Sequence, residues 1–481
     1  MGLVANRYIV VYRGGLPAEA QQQVARAGGR LMHAHPLFGL AVVESGDQQF
    51  VQRMQMQPRV AYVVHDRMVS GYQLKSIQAI QPPAQGMKPA GIILKPTPLP
   101  VKPFPLPITG LPIEASGSDA DFYYAQTPQA WAVKQVGGYG ANINGGTTHG
   151  PWDLTMGKGV RIAVLDSGVD AAHPDIAPNL VLNMTEVDQT ALPSACDNGS
   201  PQDQQGHGTW AASLAAGAVG AGTGMVIGVA PQASILNIKV LQRMPGAGSS
   251  QSAQCAAGQA SGLLSWVIQG IEDAVNQKAD VISLSLGVMV DLYTGEGTGL
   301  QASFDAVTQA AAANGVVIVA AAGNDGFDYS NTRYMEIPAQ SRDVLAVVAS
   351  TNPDCRENLA VNAACAAGPP TLAYYSNYGA PMNAVAAPGG SFPEGPDGSW
   401  SGFVRGACSA SGCFNLGNVQ YVQAYGTSAS APLVAGVAAL LKSVHPEWDA
   451  ATLAAQIRAT ATPSSGMSYG VVNAAAALGM Q

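Results

Sequence analysis

The sequence predicts an α/β protein: a parallel sheet covered by helices on both faces, preceded by a small βαββαβ domain. Three observations carry the prediction. Beyond residue 119, five short β-branched runs alternate with apolar residues at helical spacing, the pattern of strands buried on both faces and joined by crossover helices. The first 66 residues show two helical and four strand-like segments in another order. Between the two, residues 82–112 hold ten of the chain's 32 prolines, placed so that neither a helix nor a central strand could satisfy its backbone hydrogen bonds.

Taken in order, the N-terminal segments are a strand at 8–13, a helix at 17–27, strands at 30–35 and 39–44, a helix at 47–56 and a strand at 60–66. That succession is the split βαβ, or ferredoxin-like, arrangement, a unit ending at Asp66-Arg67. The Pro-rich stretch favours extended polyproline II and reads as a semi-rigid spacer. The predicted division is 1–68 for the first domain, 69–118 for the linker and 119–481 for the α/β domain. In the last, residues 160–165, 235–240, 281–286, 316–321 and 344–349 are the strands. Leu263, Leu264, Val267, Ile268, Ile271, Ala274 and Val275 form one helical face, and Phe304, Val307, Ala310 and Ala311 another. In such a sheet the chemistry collects at the carboxyl ends of the strands.

Composition narrows the partners. Charged residues are 11% and hydrophobic ones 47%, which excludes an intrinsically disordered chain. A net charge of −8 without any run of Lys or Arg gives no electrostatic footprint for nucleic acid. No apolar stretch reaches the roughly 18–20 residues needed to cross a bilayer, so no membrane partner is expected. The first six residues lack the basic segment and apolar core of a secretory leader, and the reading expects a leader to have been trimmed. Six cysteines, Cys196, Cys255, Cys355, Cys365, Cys408 and Cys413, contain no CxxC pair. Their even number favours disulfides and an oxidising, secreted or periplasmic location. The sequence does not choose among the 15 pairings; neighbours in sequence would pair 355 with 365, 408 with 413 and 196 with 255.

Four residues stand where chemistry is expected. Asp166 ends the first core strand, and taken alone would be a turn cap. His207 lies between Gly206 and Gly208 at the start of a small-residue helix, reachable from one side. Ser428 opens a long apolar helix, where unpaired backbone N–H groups favour developing negative charge. Asn324 follows a buried strand and offers an amide. Each has a bland structural reading; the set does not. A serine hydroxyl needs an imidazole to take its proton, the imidazole needs a carboxylate to fix its tautomer, and the oxyanion that forms needs a donor.

The motifs Val164-Leu165-Asp166-Ser167-Gly168-Val169-Asp170, Gly206-His207-Gly208-Thr209, Ala322-Gly323-Asn324 and Gly426-Thr427-Ser428-Ala429-Ser430-Ala431-Pro432 resemble those of the subtilisin-like serine peptidases, the subtilases, in that family's chain order. Gly228-Val229-Ala230-Pro231, Ser283-Leu284-Ser285-Leu286-Gly287, Ile337-Pro338-Ala339 and Ala387-Pro388-Gly389 extend the resemblance over residues 120–481. It implies a secreted endopeptidase acting on proteins or peptides, with Ser428 as nucleophile, His207 as general base and acid, Asp166 orienting it, and Asn324 in the oxyanion hole. No cofactor is implied for the chemistry. Ser285, Leu286 and Gly287 would pair with substrate backbone, while Ala321, Ala322 and Gly323 would line the pocket for the residue before the cleaved bond, leaving room for a large apolar or aromatic side chain.

The N-terminal unit resembles the family's inhibitor-type propeptide, with Val60-Ala61-Tyr62-Val63-Val64-His65-Asp66 similar to its last strand. The resemblance implies an intramolecular inhibitor removed by self-cleavage, although here a Pro-rich stretch follows where the family is commonly processed. Calcium is a structural option without assignable ligands: residues 216–224, after the histidine helix, have no carboxylate or amide. Two acidic clusters, Asp166/Asp170/Asp175 and Asp197/Asn198/Asp203, read first as solvated loop carboxylates and second as a cation site. A silent scaffold on this fold is disfavoured by the presence of all four chemical residues. A processing protease for basic residues would need acidic pockets, for which Asp325, Asp328 and Glu336 are the candidates.

Overall fold

The N-terminal part folds as β1 (Leu3–Tyr12), a helix (Ala20–Ala27), β2 (Arg30–His35), β3 (Leu40–Glu44), a helix (Phe50–Gln55) and β4 (Val60–Gly71), the order expected from sequence. The computed structural model describes residues 3–72, 75–79, 130–137, 150–221, 223, 225–352, 368–380, 382–390, 402–413, 416–464 and 467–480. The Pro-rich stretch and the pair Cys355 and Cys365 lie outside them.

Strands lie antiparallel in the order β4-β1-β3-β2. Alternation along β1 gives this sheet two apolar faces. Tyr8, Val10 and Tyr12 pack with Val24, Phe50 and Met54 of the unit's own helices. Ile9 and Val11, with Val64 of β4, share a core with Leu300 and Phe304 of the helix Gly295–Ala313. One face is thus closed by the unit itself and the other only by the second part of the chain.

The remaining strands are β5 (Lys75–Ala79), β6 (Arg161–Asp166), β7 (Leu180–Thr185), β8 (Ser234–Lys239), β9 (Gln242–Met244), β10 (Gln259–Leu263), β11 (Val281–Leu284), β12 (Leu286–Asp291), β13 (Val317–Ala321), β14 (Tyr334–Ile337), β15 (Val344–Ser350), β16 (Ala384–Pro388), β17 (Val404–Ala407) and β18 (Tyr421–Tyr425). Seven of them make one sheet in the order β16-β15-β13-β11-β6-β8-β7. Each neighbouring pair is parallel. Period-two alternation divides its side chains between two cores. Ile162, Val164, Val319 and Val347 face the helices His207–Ala216 and Thr427–Val444. Ala163, Leu165, Ile318 and Ala346 face Leu264–Asn276 and Gly295–Ala313. The helix Thr427–Val444 is long and apolar enough to cross a bilayer, yet 83% of it is buried inside the protein as a core element.

Three boundaries differ from the sequence reading. The single strand expected at 281–286 is broken at Ser285, so that β12 leaves the parallel sheet and pairs antiparallel with β14. The edge strands β7 and β16 carry too little apolar periodicity to be foreseen. Most consequential, β4 does not stop at residue 66. Its last residues leave β1 and run antiparallel between β10 and β12, with Ser261 opposite Ser70, Gly262 opposite Val69 and Leu286 opposite Gly71. The linker expected from residue 69 therefore begins as strand, and 75–79 again pairs as β5 with β18.

Candidate active site

Asp166 ends β6, and His207 opens the helix that crosses this end of the sheet. That helix start is fixed by the buried carboxylate of Asp203, which accepts from the Gly206 amide at 2.7 Å, the Thr209 amide at 3.0 Å, the Thr209 hydroxyl at 2.6 Å and the Ser167 hydroxyl at 2.9 Å. An acidic group here satisfies orphan N–H groups and complements the helix dipole. The disulfide Cys408–Cys413 lies against Gly206, whose added Cβ would stand 2.6 Å from the Cys408 sulfur. Ser428 comes from the other covering helix, one residue into its first turn.

These elements bring three side chains into one line. His207 Nδ1 lies 2.7 Å from Asp166 Oδ1, and Nε2 lies 2.9 Å from Ser428 Oγ. Burial would hold the His207 ring neutral, but Asp166 beside it, the field of Asp203 and the Tyr72 carbonyl together raise its pKa above the ordinary 6.5. Asn324, three residues beyond β13, has its amide orientation fixed: Oδ1 accepts from the Thr427 amide at 2.9 Å and the Thr427 hydroxyl at 2.8 Å. The donor end, Nδ2, is thereby directed beside Gly426, next to Ser428.

A fourth group completes the line. The Tyr72 carbonyl oxygen is 3.1 Å from His207 Nε2 and accepts from Ser428 Oγ at 3.1 Å, while the Tyr72 amide donates to Ser285 O at 3.1 Å. Residues 68–72 thus lie in the cleft as a third strand, the geometry of β-augmentation. They account for the burial of a site that would otherwise be open: Asp166, His207 and Ser428 are all at most 3% exposed. This arrangement can pass a proton from a hydroxyl to an imidazole while the oxygen approaches a peptide carbonyl.

Of the expected cleft residues, Ser285 and Gly287 contribute backbone or close contact to the bound strand, and Leu286 pairs by backbone while its side chain is buried in the core. Gly323 lies against the Tyr72 ring, with an added Cβ 3.3 Å from Cε1. Ala321 shares a core cluster with Tyr72, whereas Ala322 belongs to the neighbouring cluster around Tyr329. Tyr72, Tyr329 and Thr427 were not foreseen. Glu336, named from sequence with Asp325 and Asp328 as a candidate pocket acid, closes the pocket beneath Tyr72.

The acidic clusters are neither solvated nor gathered around a cation. Asp170, Asp175, Asp197 and Asp203 are buried. Asp197 holds the equally buried Lys239 ammonium at 2.9 Å and accepts from the Arg243 amide; Asp175 accepts from the Thr223 hydroxyl at 2.7 Å. Among the described residues no group of three or more His, Cys, Asp or Glu is placed to hold a metal. Donors within the chain occupy the carboxylates instead: an ammonium and an amide at Asp197, a hydroxyl at Asp175, and amides and hydroxyls at Asp203. The two disulfides among the described residues, Cys196–Cys255 and Cys408–Cys413, match the sequence-local pairing.

The sheet and this line of residues define a subtilisin-like serine peptidase. The subtilase family model matches residues 157–475, and the chain belongs to that family. It is similar to an intracellular serine protease of Paenibacillus polymyxa (34% identical over 199 residues, 41% of this chain and 51% of that protein) and to subtilisin E of Bacillus subtilis strain 168 (32% over 325 residues, 67% of this chain and 66% of that protein). The chain therefore spans about half to two thirds of these relatives' length. Its fold resembles that of the epidermin leader peptide processing serine protease of Staphylococcus aureus, with a TM-score of 0.66 and 18% identity over 98% of this chain and 97% of that one.

Proposed function

We propose that the chain is a secreted serine endopeptidase made as a zymogen, with broad specificity and a large side chain before the cleaved bond. The observation that carries this reading is the Tyr72 carbonyl within 3.1 Å of both His207 Nε2 and Ser428 Oγ. Ser428 Oγ attacks that carbonyl carbon as its proton passes to His207 Nε2. Asp166 remains ionised, holds Nδ1–H and stabilises the imidazolium. As the carbon becomes tetrahedral its oxygen turns away from His207 Nε2 and Ser428 Oγ toward Asn324 Nδ2 and the Ser428 amide, which receive the oxyanion. Collapse expels the amine of the following residue, which takes the proton back from His207, and water then releases the acyl group by the same steps in reverse.

On this reading the first substrate is the chain's own Tyr72–Gln73 bond, and the propeptide is residues 1–72 rather than 1–68. The N-terminal unit inhibits in the meantime, because its strand fills the cleft. Disulfides in the second domain favour an oxidising compartment. Proteins or peptides in extended conformation are the external substrates, and none of these steps needs a cofactor. The test is to incubate the purified chain, follow its mass and sequence the new N-terminus. A terminus beginning at Gln73, blocked by a serine-directed covalent inhibitor, is expected; an intact chain that nevertheless digests casein would overturn the self-processing step.

A further inference from the structure

The pocket that receives Tyr72 has apolar sides and a polar floor. Gly287 and Gly323 form its flat walls: a Cβ on Gly287 would stand 1.9 Å from the Tyr72 hydroxyl and 2.5 Å from Glu336 Oε1, and Gly323 is held at φ +104° by the turn after β13. At the bottom lies Glu336, 2% exposed. Its Oε1 accepts from the Tyr72 hydroxyl at 2.6 Å and its Oε2 from the Tyr329 hydroxyl at 2.5 Å. Its position is rigid, because Glu336 stands opposite Met289 in the β12–β14 ladder, and the same β12 pairs with the occupant's backbone at Gly287. The titratable groups facing it are Tyr72 from the end of β4, Tyr329 from the loop before β14 and Asp325 from the loop after β13. Among the described residues no cation is paired with it; Arg333, two residues before β14's Met335, is engaged by Asp291.

We propose that Glu336 determines specificity at the residue before the cleaved bond, selecting side chains that end in a hydrogen-bond donor, tyrosine first, over phenylalanine and leucine. This rests on the peptidase reading above and deepens it. Once Tyr72 departs, one buried carboxylate oxygen has lost its donor. A tyrosine in a substrate restores that bond. A phenylalanine fills the same space between the glycine walls but leaves the acceptor buried and unpaired, and an unmade bond to such a group costs more than a made one gains. The expectation of room for a large apolar or aromatic side chain, drawn from Ala321, Ala322 and Gly323, concerns the walls; Glu336 adds a polar floor.

The same carboxylate supplies a signature that packing alone would not. Burial is the main cause that raises the Glu336 carboxyl to about 7, opposed by the hydroxyls of Tyr329 and Tyr72 and reinforced by the charge of Asp325. Below that pH the group is neutral and can still bond a phenol; above it the group is an anion. An extended lysine reaches about as deep as a tyrosine and carries three donors. Cleavage after lysine relative to phenylalanine should therefore rise with pH as this carboxyl loses its proton. Titration of His207 acts on all substrates alike and cancels from that ratio.

The experiment measures kcat/KM of the self-processed enzyme on peptides identical except for Tyr, Phe, Leu or Lys before the cleaved bond, with casein hydrolysis as a reference. Tyrosine should exceed phenylalanine roughly 10- to 100-fold. Glu336→Leu should bring the two within about twofold, and the isosteric Glu336→Gln should abolish the pH-dependent rise of the Lys/Phe ratio. Should Glu336→Leu fail to mature, Glu336→Gln and the wild-type pH series decide alone. Equal rates on tyrosine and phenylalanine peptides in wild type, or a Lys/Phe ratio equally pH-dependent in Glu336→Gln, would overturn the assignment. Failure to hydrolyse casein or any peptide would instead sink the peptidase reading.

Discussion

Strand β4 is held in two different ways along its length. Its first part pairs by backbone with β1 and is fastened to the rest of the chain by side chains. Asp66, fully buried, accepts from Arg7 Nε at 3.0 Å and from the Ser265 amide at 3.1 Å; His65 Nδ1 lies 2.5 Å from Glu296, and His35 on β2 lies 2.7 Å from Glu272. Its last part, residues 68–72, is fastened mainly by the main-chain ladders to β10 and β12, with a specific side-chain contact at Tyr72. Side-chain pairs recognise one partner. A backbone ladder accepts almost any sequence, since every non-proline residue offers the same donor and acceptor. On the proposed reading, the first half identifies the N-terminal unit as inhibitor, and the second half occupies the place a substrate would take.

The largest effect should come from the group at the boundary between occupant and enzyme. Ser428→Ala removes the proposed nucleophile but not the ladder, so the full-length chain should persist in mass spectrometry, and casein hydrolysis should fall by roughly the 10⁶-fold that loss of this group costs in subtilisin. Retained cleavage after Tyr72 in that variant would refute the nucleophile assignment. Asn324→Ala should follow, lowering kcat by about 10²–10³-fold, again the loss known in subtilisin, with little change in KM. On the proposed mechanism its donor serves the oxyanion more than the bound carbonyl.

This contrast also explains what the sequence could disclose. Asp166, His207, Asn324 and Ser428 were legible because each chemical residue is embedded in small residues that must be close to it: the glycines around His207 and the Gly-Thr before Ser428 have few other uses together. The βαββαβ order was legible from periodicity. What escaped was register. Met68-Val69-Ser70-Gly71-Tyr72 reads as the start of a linker, since Ser and Gly are poor strand formers, and it becomes strand only because two strands from a domain some 200 residues away offer unpaired edges. Glu336, a candidate pocket acid from sequence, gains its specific partner only once that register puts Tyr72 above it. Asp197 was misread for the opposite reason: its buried partners, Lys239 and the Arg243 amide, come from distant segments that spacing does not reveal.

Within the side-chain-fastened half, burial should decide the order of effects. Asp66→Ala leaves the Arg7 guanidinium buried without its carboxylate, and removes the acceptor for the Ser265 amide. In the uncleaved Ser428→Ala chain this should cost about 3–5 kcal/mol, measurable as a lower denaturant midpoint with a largely unchanged slope. A shift below 1 kcal/mol would mean that Arg7 finds another acceptor.

Acid should act on the catalytic line in a smaller, graded way. His207 must be neutral to take the serine proton, and its pKa is raised above 6.5 against the effect of burial, chiefly by Asp166. Activity should be full above that raised value and fall by about tenfold per pH unit below it. The check is the acid limb of kcat/KM on a phenylalanine peptide, where Glu336 makes no charged contact. A midpoint below 6.5 would show that Asp166 does not govern the ring in the open enzyme.

The smallest change tests whether proximity or burial makes the first half of β4 specific. Glu296 meets both the His65 ring and the His65 amide, a geometry as close as that of Asp66, yet its side chain and that of His65 are 36% and 33% exposed. Water competes for both groups and screens their attraction, so the pair should contribute about 0–1 kcal/mol. Glu296→Gln keeps an acceptor for the His65 amide and removes only the charge. Its denaturant midpoint in the Ser428→Ala background should lie close to that of the parent, and added salt should move the parent toward it. A loss as large as that from Asp66→Ala would mean that charge at the rim fastens the inhibitor as firmly as the buried pair does.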